Sequence, residues 1–166
     1  MALAADFLRQ ARELATRRGR PSQINLRRST SAAYYALFHL LVAEVVERMV
    51  PARPAALRAR AARSLQHSEL KEACMDFRNP SAPQRLQSLL GASISSDLRT
   101  FADTFLDLQE QRHLADYDTT LKLSQTAVKS AVVKAEAAFA RWKTIRSTDE
   151  ANVFLAALVF GKRWNR

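Results

Sequence analysis

One cysteine, three glycines and five prolines in 166 residues leave few architectures open. With Cys74 alone, no disulfide can form within the chain, and a reducing cytoplasm is the expected compartment. Cys74 and the scattered His39, His67 and His113 have no metal-ligand spacing, so no metal and no cofactor is expected. So few glycines exclude a Gly-rich phosphate loop or a dinucleotide fingerprint, and nothing resembles a nucleophile elbow. No segment alternates convincingly with the period of a strand, and there is no internal repeat or low-complexity linker. The apolar segment 151–160 is about half the length of a membrane span. Asp6 and two arginines interrupt the first apolar stretch, unlike a secretory leader. A cytoplasmic protein with no membrane partner is the expectation.

Acidic residues are also scarce, 16 against 26 Lys and Arg, for a formal charge of +10. The excess is arginine-heavy and clustered at 17–20, at Arg27 and Arg28, and at Arg53, Arg58, Arg60 and Arg63. Such a field attracts polyanions, nucleic acid above all, through counterion release. An acidic protein partner would balance it equally well.

What is abundant is helix-forming sequence. Hydrophobic residues make up 48% of the chain, in long Ala-, Leu- and Arg-rich runs. Residues 2–18 place Leu3, Phe7, Ala11, Leu14 and Ala15 on one stripe that ends at Gly19. A second helix starts after Pro21 and Ser22 and runs to about Val50, where Pro51 and Pro54 stop it. Residues 55–77 read as helix with a break near Gln66, and 84–90 as a short helix. Ser95 or Ser96 caps a helix with Asp97 in its first turn; it ends at 116–120, which would cap the next one. A long amphipathic helix follows to 146, then a last one capped by Ser147 or Thr148. The expected fold is all-α, an antiparallel bundle of four or five main helices over 1–146, with a C-terminal helix and basic tail at 147–166.

Two polar constellations stand out on these helices. On the second helix Arg28, Ser31, Tyr35 and His39 follow spacings of three, four and four, and form a polar seam beside a core stripe. Such a seam is either a set of interior groups that find hydrogen-bond partners or part of a binding surface. In the segment 109–118, Arg112 and Asp116 are four apart and can pair, with Tyr117 closing the run. That pair is either a structural staple or a guanidinium pre-oriented for phosphate. The Tyr35–His39 seam is expected to face the 112–118 segment, each supplying hydrogen bonds to the other. A third grouping, Arg60, Arg63 and His67, is expected to lie on one helical side, either as a solvated basic face or as a nucleic-acid contact.

The stretch STSAAYYALFHLL followed about eighty residues later by RHLADYD resembles the HEPN superfamily (higher eukaryotes and prokaryotes nucleotide-binding). The resemblance covers roughly residues 5–145. It implies a compact, usually dimeric helical bundle, in many members a metal-independent ribonuclease toxin encoded beside a minimal nucleotidyltransferase antitoxin. The family's active site pairs an Arg with a His four to six residues on, the His moving protons at the ribose hydroxyl and the Arg stabilising charge on phosphate. The resemblance assigns the Arg role to Arg112, with Asp116, Tyr117 and His113 as further candidates, although His113, one residue from Arg112 and about 100° round the helix, is expected to point elsewhere. The His register is occupied by Tyr117, whose phenol is a poor base at neutral pH. Arg28, Tyr35, His39, Arg60, Arg63 and His67 are the nucleic-acid-contact candidates. Three readings follow: a ribonuclease, a non-catalytic module binding RNA, nucleotide or a partner enzyme, and a helical adaptor docking through its apolar last helix.

Overall fold

The computed structural model describes residues 2–17, 19, 21–52, 54–91 and 93–164. Arg18, Arg20, Arg53, Asn165 and Arg166, which belong to the basic clusters above, lie outside the described residues. The protein is all-α. Its helices among the described residues are α1 (Ala2–Thr16), α2 (Gln23–Met49), α3 (Ala55–Ser64), α4 (His67–Phe77), α5 (Gln87–Leu90), α6 (Ser96–Tyr117), α7 (Gln125–Ile145) and α8 (Asp149–Phe160), with single 3-10 turns at Gln84–Leu86 and Gly161–Arg163.

The local signals act as side-chain chemistry requires. Ser22 Oγ accepts from Asn25 N at the start of α2, Ser95 Oγ from Leu98 N at the start of α6, and Thr148 Oγ1 from Ala151 N at the start of α8. Each satisfies one of the amides a helix start leaves unpaired. Residues 116–120 do not cap α7. Asp116 and Tyr117 form the last turn of α6, residues 118–124 are non-helical, and Ser124 Oγ accepts from Ala127 N. The 55–77 stretch is two helices, because Leu65 and Gln66 are extended. That break cancels the shared helical side expected of Arg60, Arg63 and His67.

Contacts divide the chain into two units, 1–40 with 104–140 and 41–103 with 141–166, so α2, α6 and α7 each contribute to both. Side chains gather around two aromatic clusters. In the first unit Tyr34 packs on Phe105, with ring centroids 5.3 Å apart, and Phe7 lies against Tyr35 and His39. Along α1 the innermost residues are Ala4, Ala11 and Ala15, while Leu3 is 54% exposed, so the expected stripe is rotated toward the alanines. Small side chains let backbones approach closely, and buried Ser29 donates from Oγ to the Ala11 carbonyl at 2.7 Å.

In the second unit Phe154 of α8 meets Phe77, Phe101 and Trp142. Helix α8 packs on α4 and α5, with Ala151, Phe154, Leu155, Ala157 and Leu158 buried. The last helix is therefore core, which removes it as an apolar docking surface. Glu44, 1% exposed, receives a two-pronged contact from Arg146, at 3.0 Å to Oε1 and 3.3 Å to Oε2. Cys74 is buried, and burial raises its thiol pKa far above the ordinary value. Helix α2 is long and apolar enough to cross a membrane by length and composition, and 78% of that apolar window is buried inside the fold.

Candidate functional site at the end of α6

The last turns of α6 and the first turns of α2 meet through their polar residues. Arg112 Nη2 donates to Tyr35 Oη at 3.2 Å, and Arg112 Nε lies 2.7 Å from Asp116 Oδ2. That second approach is an ion pair without hydrogen-bond alignment. Ser31 Oγ donates to the other carboxylate oxygen, Asp116 Oδ1, at 2.6 Å. The seam meets the 112–118 segment through Ser31 and Tyr35, where Tyr35 and His39 were expected. His39, the last member of the seam, is stacked on Phe7 with centroids 5.1 Å apart and planes 3° from parallel.

Arg112 is gripped from one side and only 21% exposed. Its guanidinium carbon sits 5.7 Å from the Tyr35 ring and 5.6 Å from the Tyr117 ring, within cation–π range. Nη1 carries no hydrogen bond among the described residues. Burial works against the charge on Arg112, but Tyr35, Asp116 and Tyr117 outweigh it and hold its pKa above the ordinary arginine value. The group is a fixed cation at any working pH.

Tyr117 is 65% exposed and its ring lies 5.0 Å from that of His113, one turn earlier. Arg112 and His113 leave the helix about 100° apart, as adjacent residues must. They nevertheless converge on one ring, because Tyr117 is four residues from the His and five from the Arg. The end of α6 thus presents a cation, an imidazole and a phenol around an exposed aromatic face. Arg28 is exposed on α2 one turn before Ser31.

Arg27, next to Arg28 on α2, fastens the end of α6 and the loop that follows it. Its Nη1 donates to the carbonyls of Ala115 (2.6 Å) and Asp118 (2.9 Å), and its Nη2 to that of Leu121 (2.6 Å). A cation at a helix C-terminus complements the macrodipole and satisfies carbonyls left over by the last turn. Gln23 adds two bonds to the loop, from Nε2 to the Leu123 carbonyl and from Leu123 N to Oε1, both 2.9 Å. Asp118 Oδ1 accepts from Thr120 N, Thr120 Oγ1 and Leu121 N. These donors, Thr120 first, hold the Asp118 carboxyl below the usual Asp range. No short-range pattern marks Arg27 or Gln23 for this work, since their partners lie 88–100 residues away.

The remaining candidates fall elsewhere. Arg60 and Arg63 are exposed on α3, a helix with no buried residue, and His67 is exposed in the first turn of α4. All three belong to the second unit, whereas Arg28, Tyr35, His39, Arg112, His113, Asp116 and Tyr117 belong to the first. Among the described residues no group of three or more His, Cys, Asp or Glu side chains is placed to hold a metal ion. No family model matches this chain, and no curated protein or solved structure matches it either.

Proposed function

We propose that the protein is a HEPN-like module that binds RNA or a nucleotide through Arg112 and the exposed ring of Tyr117. The observation that carries the reading is the state of Arg112. Its guanidinium is oriented by Asp116 and Tyr35, and Nη1 is left for a further acceptor. A planar fork held in this way suits phosphate oxygens, and Tyr117 beside it offers a face on which a base can stack. The excess of 26 basic over 16 acidic residues draws polyanions toward it. A homodimer, and a pairing with an acidic or nucleotidyltransferase partner, belong to the same proposal.

The test is anisotropy of a fluorescent single-stranded RNA titrated with protein at several salt concentrations. Arg112→Met is expected to weaken binding and to reduce the salt slope by about 0.7, the value for one phosphate contact on a single strand. Tyr117→Ala is expected to cost about 1–3 kcal/mol of affinity, the range for one stacked base. Binding unchanged in both variants refutes the reading.

A second reading, a metal-independent ribonuclease, draws on His113. Its imidazole shares the Tyr117 ring with Arg112, so a base and a phosphate-binding cation lie near one another. Cleavage of RNA in EDTA, lost in both His113→Ala and Arg112→Ala, would establish it. Intact RNA with wild-type protein leaves the binding module.

A further inference from the structure

On another face of α6, the helix end, the 118–124 loop and the first turns of α7 enclose a cavity of about 340 Å³. Its walls are Leu114, Leu121, Leu123, Ala127, Val128 and Ala131. The volume lies within the range of small-molecule sites, about 300–1,000 Å³. Leu114, 39% exposed, and the exposed Ala127 and Ser130 mark an open side.

The polar groups at this cavity decide what it can hold. Gln111 Nε2 donates to Asp107 Oδ1 at 2.9 Å, and Lys134 Nζ to Asp107 Oδ2 at 2.7 Å. Buried Thr30 gives its hydroxyl proton to the Leu26 carbonyl. Among the described residues the one cation lining the cavity, Lys134, is therefore paired with a carboxylate, and two of the three other polar side chains already donate within the fold. In a chain of formal charge +10, this cavity offers an anion little beyond the Ser130 hydroxyl and an ammonium already paired with Asp107. A charged or strongly polar guest would lose its hydration without compensation.

The cavity is also held in shape before any ligand arrives. Leu121 and Leu123 come from a loop that Arg27, Gln23 and Asp118 fasten through its backbone, so filling the space requires little reordering. From the neutral apolar wall and this anchoring we infer that the cavity is a preformed site for an uncharged, apolar small molecule, aromatic or hydrocarbon. The inference is independent of the RNA reading, since it uses neither Arg112 nor Tyr117.

The test titrates the protein with N-phenyl-1-naphthylamine, an uncharged dye whose fluorescence rises in apolar surroundings. A saturable, one-to-one increase is expected with the full chain. Ala127→Trp, at an exposed position on the rim, is expected to weaken binding by at least about tenfold, or 1.4 kcal/mol. Leu114→Asn is expected to weaken it in the same direction, so the outcome does not hang on one variant's folding. Val133→Asn, on an exposed part of α7 outside the cavity lining, leaves binding unchanged. Absence of saturable binding by wild type overturns the inference, as does binding unaffected by both rim variants or lowered equally by Val133→Asn.

Discussion

Removing the Arg27 guanidinium isolates how the end of α6 is built. Arg27→Met keeps most of the side-chain bulk while deleting three donors to the carbonyls of Ala115, Asp118 and Leu121. A hydrogen bond to a charged group contributes about 1.5–3 kcal/mol, but three such values cannot simply be summed. Ala115 is buried, so its carbonyl would be left with the full desolvation penalty of about 1–3 kcal/mol. Asp118 and Leu121 are partly exposed; their carbonyls recover water and lose about 0.5–1 kcal/mol each. The total is about 2–5 kcal/mol. For a chain of this length, 3 kcal/mol within that range lowers Tm by about 6–12 °C.

Urea and thermal unfolding give the global number, and amide exchange gives the location. Protection is expected to fall for 118–124 while α4 and α8 keep theirs. Arg27→Lys, with one ammonium in place of a fork, is expected to fall between wild type and Arg27→Met. A loss below about 0.5 kcal/mol for Arg27→Met, within ordinary surface-substitution effects, would refute the assignment of Arg27 as the anchor of this loop.

Two further expectations follow from charged groups. The Asp118 carboxyl has a lowered folded pKa, so its contribution is complete above the unfolded value of about 3.9 and disappears as pH falls through the lower folded value. Asp118→Asn keeps an acceptor but does not titrate; urea midpoints measured from pH 5 to pH 2 should fall less steeply than wild type, and parallel curves would contradict this. Glu44→Gln leaves Arg146 without its buried carboxylate, and because Arg146 is 38% exposed its charge recovers hydration, giving a loss of about 1–3 kcal/mol. A double-mutant cycle with Arg146→Met should return a coupling energy above about 0.5 kcal/mol; strict additivity would deny the pair.

The elements that were legible in the sequence are those whose causes are local. Ser22, Ser95 and Thr148 start helices because a side-chain oxygen reaches an amide three residues on. The Arg112–Asp116 pair could be read from a spacing of four on one helix. The meeting of Tyr35 with 112–118 was also foreseeable, since polar groups on an apolar helix require partners, but the second contact comes from Ser31 and not from the expected His39 end of the seam. The break at Leu65 and Gln66 turned a supposed Arg60–Arg63–His67 face into parts of two helices, because a shared face exists only while the helical twist is unbroken.

Composition and periodicity by themselves determined that this chain is helical, basic and unable to form an internal disulfide, since these depend on residue type and near neighbours. Tertiary structure alone decided that α8 is buried core and that Arg27 anchors a loop 88–94 residues away. The physical reason is that burial and hydrogen-bond partnership belong to pairs of surfaces. A helix carries its own spacing in its sequence, but the carbonyl or ring that will complete it is supplied by chain brought close only on folding.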